Sequence, residues 1–183
     1  TAGAAQKPGE TRLDLVKKNV SIFKSIIPEI SSRNCGGILL IVSNPVDILT
    51  YVALKLSGMP ANRVLGSGTT LDTARFKYAL GEHLGVDPRN VHARIVGEHG
   101  DSEFPVWSTA RIGQIPIREW TDADGKLLFS QDVLDDLADE AMHAAYKVIA
   151  GKGATNYAIG LTGARLTEAL MSPTRTVFPL SSV

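Results

Sequence analysis

A histidine between two glycines is the residue of this sequence best suited to move a proton. His99 lies in Gly97-Glu98-His99-Gly100-Asp101-Ser102, where the flanking glycines leave space around the imidazole. An imidazole with its ordinary pKa of about 6.5 gains and loses a proton near neutral pH, as general acid–base catalysis requires. A solvated loop histidine would have the same local sequence, so this segment alone leaves both interpretations open.

A carboxylate and a guanidinium three residues apart have the chemistry to assist such a histidine. In Leu71-Asp72-Thr73-Ala74-Arg75, a helix would place Asp72 and Arg75 on one face. A carboxylate can hold an imidazole in one tautomer, and an arginine can bind a substrate carboxylate through two hydrogen bonds. The alternative is a surface ion pair, worth less than about 1 kcal/mol. The spacing does not show whether Asp72 reaches His99.

Two further segments have compositions typical of ligand-binding positions. The polar stretch from Gln6 to Arg12 contains Pro8-Gly9 and predicts a loop whose arginine could close over a ligand. Asn44 follows the apolar run 38–42, at the carboxyl end of a predicted strand, where open α/β sheets bind ligands. The alternatives are a solvated charge for Arg12 and a helix N-cap for Asn44.

The elements that must position these residues follow from the spacing of apolar side chains. Helices are predicted over 13–31, from Pro45 through Leu56, and over 71–83, 131–151 and 156–171. Strands are predicted at 38–42, fully buried, and at 64–66, 91–96, 107–112, 115–117 and, without a partner, 176–183. The helix–strand–helix order before Ser67 is that of a doubly wound parallel sheet. We therefore predict an α/β protein with a domain boundary near Ser67.

Composition argues against several classes of function. The 19 basic and 19 acidic residues cancel, so charge favours neither nucleic acid nor a membrane surface as partner. The single cysteine, Cys35, cannot form an internal disulfide, which favours a reducing compartment. The longest apolar run, 38–42, is too short to span a bilayer. No metal site is predicted.

Four segments together resemble the bacterial L-lactate dehydrogenases of the lactate/malate dehydrogenase superfamily. They are QKPGETRLDL at 6–15, SNPVDILTY at 43–51, GSGTTLDTARF at 66–76 and IVGEHGDSEFPVWS at 95–108, in the family's order and spacing. The resemblance implies the second half of a Rossmann-type doubly wound parallel sheet (1–66), followed by an α+β catalytic domain (67–183). The family's GxGxxG phosphate loop does not occur. We therefore expect a chain shortened at both ends that, by itself, binds NAD poorly and turns over little.

The resemblance also implies a reaction and a role for individual residues. The reaction is reversible hydride transfer between NADH and pyruvate, giving L-lactate and NAD⁺. His99 resembles the proton donor and acceptor, Asp72 the carboxylate that orients it, and Arg12 the arginine that polarises the substrate carbonyl. The implied substrate-binding residues are Gln6, Arg12, Asn44, Arg75 and Thr155. The implied NAD contacts are Gly3, Ala4, Ser25, Val42, Ser43, Asn44 and Ser67.

Gln6 bears on the choice of substrate. Malate dehydrogenases resemble the same plan but carry an arginine at the matching place, where it would pair with a second carboxylate. A neutral glutamine would leave that carboxylate unpaired, so Gln6 favours pyruvate over oxaloacetate. The alternatives are a malate or other 2-hydroxyacid dehydrogenase, and a non-enzymatic partial chain.

The resemblance extends to regulation and assembly. Members activated by fructose 1,6-bisphosphate resemble this sequence at His92 and at Lys77, where the family usually has arginine. Lysine keeps the charge but loses the planar two-pronged geometry. We therefore hold an effector site as a hypothesis, together with a cytoplasmic homotetramer.

Overall fold

The computed structural model describes residues 3–4, 11–33 and 36–183, without the side chain of Arg12. These residues form two compact units. The first comprises the described residues up to Gly68 together with Leu180–Val183, and the second comprises Thr69–Pro179. Among the described residues, no helix has the length and apolar character needed to cross a membrane.

The first unit alternates helices and strands, as predicted. Its elements are α1 (Arg12–Ser32), β1 (Leu39–Ile41), α2 (Val46–Ser57) and β2 (Val64–Gly66). The two strands are parallel, with Leu39 opposite Val64 and Ile41 opposite Gly66. Apolar side chains of both helices and both strands form one core, namely Phe23, Ile27, Ile41, Val46, Leu49, Ala53 and Val64.

Local sequence sets the ends of these helices. Thr11 caps α1 through a capping box with Asp14: each side chain accepts a hydrogen bond from the other residue's backbone N–H. Gly58, at φ 64°, ends α2 in the left-handed conformation that glycine adopts most easily.

Two predictions for the first unit need correction. The strand at 38–42 was expected to be fully buried, but Leu39 and Leu40 are half-buried and Ile38 and Val42 are exposed. The reason is that, in the described part of the chain, β1 pairs with β2 alone. The segment 176–183 was expected to form an unpaired strand. Instead Ser181 alone is paired, through two backbone hydrogen bonds with Gly66 of 2.9 and 3.1 Å.

The second unit combines helices with short antiparallel strands. In chain order it contains α3 (Thr70–Leu84), β3 (Val91–His92), β4 (Ile95–Val96), β5 (Phe104–Pro105), β6 (Arg111–Ile112), β7 (Ile115–Pro116), α4 (Gln131–Met142), α5 (Ala144–Lys152) and α6 (Tyr157–Met171). β6 pairs with both β3 and β7, while β4 pairs with β5. The core contains Phe76 and Leu80 of α3, Ile95 of β4 and Leu134 of α4. At the unit's two ends, the Thr70 hydroxyl donates to the carbonyl of Pro179 at 3.1 Å.

Three predicted elements of the second unit are wrong in extent. The strand at 91–96 divides, because β3 pairs with β6 and β4 with β5. The strand at 107–112 shortens to β6, since Trp107–Thr109 forms a 3₁₀ turn. The helix at 131–151 is interrupted at His143, whose backbone leaves helical geometry at ψ 5° and whose Nδ1 lies 2.9 Å from the carboxylate of Asp139.

Candidate active site

A seven-residue hairpin loop carries His99. β4 and β5 pair with Val96 opposite Phe104, so residues 97–103 form the connection. Gly97, at φ +104°, closes it: a Cβ there would lie 3.3 Å from both the Cα of Glu103 and the carbonyl oxygen of Ser102. The turn therefore folds the chain back so that His99 and Glu103 become neighbours.

Threonine side chains fix the start of α3 against this hairpin. The hydroxyls of Thr69 and Thr73 donate to the carbonyl of Ile95 at 2.6 and 3.2 Å. The N–H of Ile95 donates back to the Thr73 hydroxyl at 3.0 Å. All three residues are buried, so these bonds hold the first turn of α3, which carries Asp72, beside β4.

Asp72 and His99 meet across this contact. The Nδ1 atom of His99 lies 2.7 Å from Oδ2 of Asp72 and 3.5 Å from Oε2 of Glu103. Nη1 of Arg75 lies 3.4 Å from the other oxygen of Asp72. We call these four residues the proton-transfer cluster. The side chains of Asp72 and Glu103 are almost completely buried, whereas that of His99 is 27% exposed.

The buried carboxylates control the proton affinity of the imidazole. Hydrogen bonding to Asp72, and then to Glu103, raises the pKa of His99 to about 10, although burial opposes the charged form. Burial in turn raises the pKa of Glu103 above its ordinary value. His99 is therefore a cation at neutral pH and has a proton to donate.

Four of the residues implied for NAD binding follow the carboxyl ends of the first unit's parallel strands. Val42, Ser43 and Asn44 follow β1, and Ser67 follows β2, where its N–H donates to the carbonyl of Ile41 at 2.9 Å. Val42 and Asn44 are exposed. An apolar and an amide side chain at this edge fit a ligand that has both ring and polar groups. Asn44 is not the N-cap of α2, which is Pro45.

A buried asparagine that the sequence analysis overlooked organises this edge. Asn19 of α1 is 1% exposed. Its Oδ1 accepts from the N–H of Ala4 at 2.7 Å, and its Nδ2 donates to the carbonyls of Asn44 and Ala4 at 2.8 and 3.3 Å. The signal was present, because Asn19 stands in register with Leu15 and Phe23 on the apolar face of α1.

The structure also describes three further residues that were predicted to bind NAD or substrate. Gly3 lies against Ser43, whose hydroxyl oxygen would be 3.1 Å from a Cβ at position 3. Ser25 is exposed on α1, and its hydroxyl donates to the carbonyl of Ile22 in the same helix. Thr155 is half-buried between α5 and α6.

For two residues important to the sequence-based prediction, the structure describes no side chain. Gln6 lies outside the described residues. Arg12 is the first residue of α1, and its side chain also lies outside the described part. Their roles stay predictions.

Lys77 and His92 line one cavity of about 440 Å³. Three further basic side chains line it, those of Arg94, Arg111 and Arg165, and none of the described residues that line it is acidic. We call this the basic cavity. Burial, followed by the positive charges of Arg165 and Arg94, lowers the pKa of Lys77. The three arginines were overlooked because they come from separate elements.

Another groove of the second unit is a different feature. It has a volume of about 790 Å³ and lies between α3 and α4. Arg75 is among its lining residues, whereas Asp72 and His99 are not. The groove therefore does not enclose the group that carries the proton.

The proton-transfer cluster also has donor atoms of the kind that bind metals. One atom each from Asp72, His99 and Glu103 lies within 4.8 Å of the others. The 2.7 Å between Nδ1 and Oδ2 is a hydrogen-bond distance, shorter than the separation of about 3.3 Å expected between two ligands of a tetrahedral zinc ion. This geometry fits a shared proton better than a cation.

Comparison with known families identifies the chain. Residues 1–66 match the model described as "lactate/malate dehydrogenase, NAD binding domain". Residues 69–183 match the model described as "lactate/malate dehydrogenase, alpha/beta C-terminal domain". The chain belongs to the lactate/malate dehydrogenase family, which confirms the predicted α/β class and the resemblance stated above.

Curated relatives and solved structures agree with this assignment. The L-lactate dehydrogenase of Synechococcus sp. (strain JA-3-3Ab) is 54% identical over all of this chain and 58% of its own length. That of Lacticaseibacillus casei is 53% identical over 99% of this chain and 55% of its own. The structure of the minor L-lactate dehydrogenase from Enterococcus mundtii, in a ligand-bound form, matches at a TM-score of 0.93 and 47% identity, over the whole chain and 57% of that structure. The chain thus spans somewhat more than half the length of these relatives.

Proposed function

We propose that these residues belong to an NAD-dependent L-lactate dehydrogenase that reversibly reduces pyruvate to L-lactate. In this proposal residues 1–66 are part of the NAD-binding domain and residues 67–183 form the catalytic domain. The observation that carries it is the 2.7 Å hydrogen bond between Asp72 and His99. It supports a protonated imidazole, held in one orientation, as the proton donor.

The chemistry divides between cofactor and protein. NADH, when bound, supplies the hydride that reduces the carbonyl carbon. With Nδ1 of His99 bonded to Asp72, we assign the transferable proton to Nε2, which delivers it to the carbonyl oxygen as that oxygen becomes an alkoxide. In lactate oxidation the neutral imidazole accepts the proton at the same atom. Asp72 stabilises the cation in both directions and keeps the ring oriented.

Three other residues are assigned to hold the substrate. Arg75, already beside Asp72 at 3.4 Å, is assigned the substrate carboxylate, which a guanidinium binds with two parallel hydrogen bonds. Arg12 is assigned the carbonyl oxygen, where its charge would stabilise the transition state more than the ground state. Thr155 is assigned to line the substrate pocket. The last two assignments rest on the family resemblance.

The proposed NAD site consists of residues from the first unit. The backbone around Gly3, Ala4 and Val42–Asn44, held by Asn19, would provide hydrogen-bonding groups for the cofactor. Ser25 and Ser67 complete the set on the basis of resemblance. Asn44 is also assigned to the substrate oxygen.

The test is NADH oxidation by the full-length protein, with pyruvate and oxaloacetate compared side by side. We expect a strong preference for pyruvate, and we expect Gln6→Arg to reverse it because the new guanidinium pairs with the second carboxylate of oxaloacetate. Gln6→Asn, which stays neutral, is the matched control and should keep the preference for pyruvate. A wild-type preference for oxaloacetate would contradict the substrate assignment and favour a malate dehydrogenase.

The basic cavity supports a second function, activation by fructose 1,6-bisphosphate. Five basic side chains in about 440 Å³, without a lining carboxylate among the described residues, favour a ligand with several negative charges. We expect the bisphosphate to lower the KM for pyruvate severalfold and His92→Gln with Lys77→Gln to abolish this effect. Lys126→Gln, an exposed lysine outside the cavity, is the control. No change in wild-type KM on adding the bisphosphate would refute activation.

Assembly and location complete the proposal. On the basis of resemblance we assign the full-length protein to the cytoplasm as a homotetramer. Light scattering after size-exclusion chromatography would test the tetramer directly.

A further inference from the structure

Glu103 is the one member of the proton-transfer cluster to which the preceding proposal gives no role. It is a carboxylate that folding buries almost completely, with 1% of its side chain exposed. Burial of a carboxyl group without a partner carries a large cost, so its surroundings must compensate it. Its oxygen Oε2 lies 3.5 Å from Nδ1 of His99 and 3.4 Å from the N–H of Gly100.

The hairpin determines where this carboxylate points. Phe104, the first residue of β5, is exposed, whereas the preceding Glu103 is buried, as expected for neighbours whose side chains take opposite faces. Gly97 holds the two ends of the loop together. The carboxylates of Asp72 and Glu103 thus both lie near one ring nitrogen, Nδ1 of His99.

We propose that Glu103 is a positioning residue whose carboxylate provides a second acceptor for the Nδ1 proton of His99, so that the imidazole keeps its proton at pH values where Asp72 alone would let it go. The proposal rests on the dehydrogenase function above and deepens it. Its consequence differs between the two directions of the reaction. Because pyruvate reduction needs the protonated ring and lactate oxidation needs the neutral ring, Glu103 extends the pH range of reduction and delays oxidation to higher pH.

The charges around His99 agree with this role. From α3 come Asp72 and Arg75, and the arginine partly neutralises the first carboxylate. From the loop come Glu98, Asp101 and Glu103, and of these the carboxylate of Asp101 accepts a hydrogen bond from Tyr146 of α5 at 3.0 Å. Of the loop carboxylates, Glu103 alone is buried. Hydrogen bonding to Asp72, and then to Glu103, raises the pKa of His99.

The experiment compares Glu103→Gln with wild type in the full-length protein, measuring kcat/KM against pH in both directions. We expect kcat/KM for pyruvate to fall, and kcat/KM for lactate to rise, at a pH about one unit or more lower than in wild type. A shift of this size is usual when an opposite charge within about 4–6 Å is removed. Glu103→Asp keeps the charge on a shorter side chain and should shift both pH dependences less. Glu119→Gln, an exposed glutamate elsewhere in the same unit, should move neither.

A second measurement separates this inference from the function on which it rests. The NMR titration of the His99 imidazole, assigned by its disappearance in His99→Asn, reports the pKa without any turnover. A downward shift in Glu103→Gln supports the positioning role even for a protein that does not reduce pyruvate. Unchanged pH dependences and an unchanged titration, with activity lowered equally at every pH, would overturn it and leave Glu103 a purely structural residue.

Discussion

Two groups of charged residues adjoin α3, and they are built in opposite ways. In the proton-transfer cluster each charge has a partner within the unit: Asp72 contacts both His99 and Arg75, and Glu103 contacts His99. In the basic cavity, like charges collect, so that burial and neighbouring arginines together depress the pKa of Lys77. Among the described residues, the charges of the first group are paired with one another, whereas the second group would gain its counter-charge from the anion proposed to bind there. This is the difference expected between the proposed proton-transfer site and the proposed anion site.

The largest expected effect comes from replacing His99, the residue proposed to donate the proton. In the full-length protein, we expect His99→Asn to lower kcat/KM for pyruvate by about 10² to 10⁴-fold, the usual contribution of a general acid. Asp72→Asn should also lower it severely, because the ring loses both its orientation and its counter-charge. Steady-state NADH oxidation measures the effect, and Glu119→Gln serves as the control. Activity of His99→Asn within tenfold of wild type would show that another group donates the proton.

A smaller effect concerns the free energy of unfolding, whose change with pH has opposite signs for His99 and for Lys77. The folded pKa of His99, about 10, exceeds its unfolded value of 6.5, so the stabilisation is complete below pH 6.5 and is lost as the pH rises through 10. We expect this residue to lower the free energy of unfolding by about 1 kcal/mol per pH unit between pH 7 and 9. The depressed pKa of Lys77 acts the other way, since the folded protein loses this proton at a lower pH than the unfolded chain does and is thereby relieved of repulsion.

Urea unfolding at a series of pH values measures these slopes. His99→Asn should flatten the curve between pH 7 and 9, whereas Lys77→Gln should make its decline steeper below the ordinary lysine pKa of 10.5. If both variants had the slope of wild type, neither group would be linked to folding in the way that their surroundings indicate.

The structural features that the sequence predicted well are those set by residues close together along the chain. Apolar spacing indicated α1, α2, α3 and α6 within a residue or two, since a helix buries every third or fourth side chain. The Asp72–Arg75 contact followed from helical geometry in the same way. The split of the predicted strand 91–96 was not foreseeable, because its two halves pair with different partners farther along the chain.

Contacts across longer separations needed the fold. Asp72 and His99 are 27 residues apart, and no periodicity indicates that they touch. Glu103 had no distinctive feature in the sequence, because its burial results from the turn at Gly97. Asn19 was the exception, since a polar residue in register with a helix's apolar face is a signal that sequence alone contains.

The hydrogen bond between Thr70 and Pro179 has a mechanical consequence. The second unit begins at Thr69 and ends at Pro179, so this bond joins its two ends. A force that separates these ends therefore acts first on that single bond and the few residues beside it. Under such tension, the second unit would thus resist first at the contact between Thr70 and Pro179.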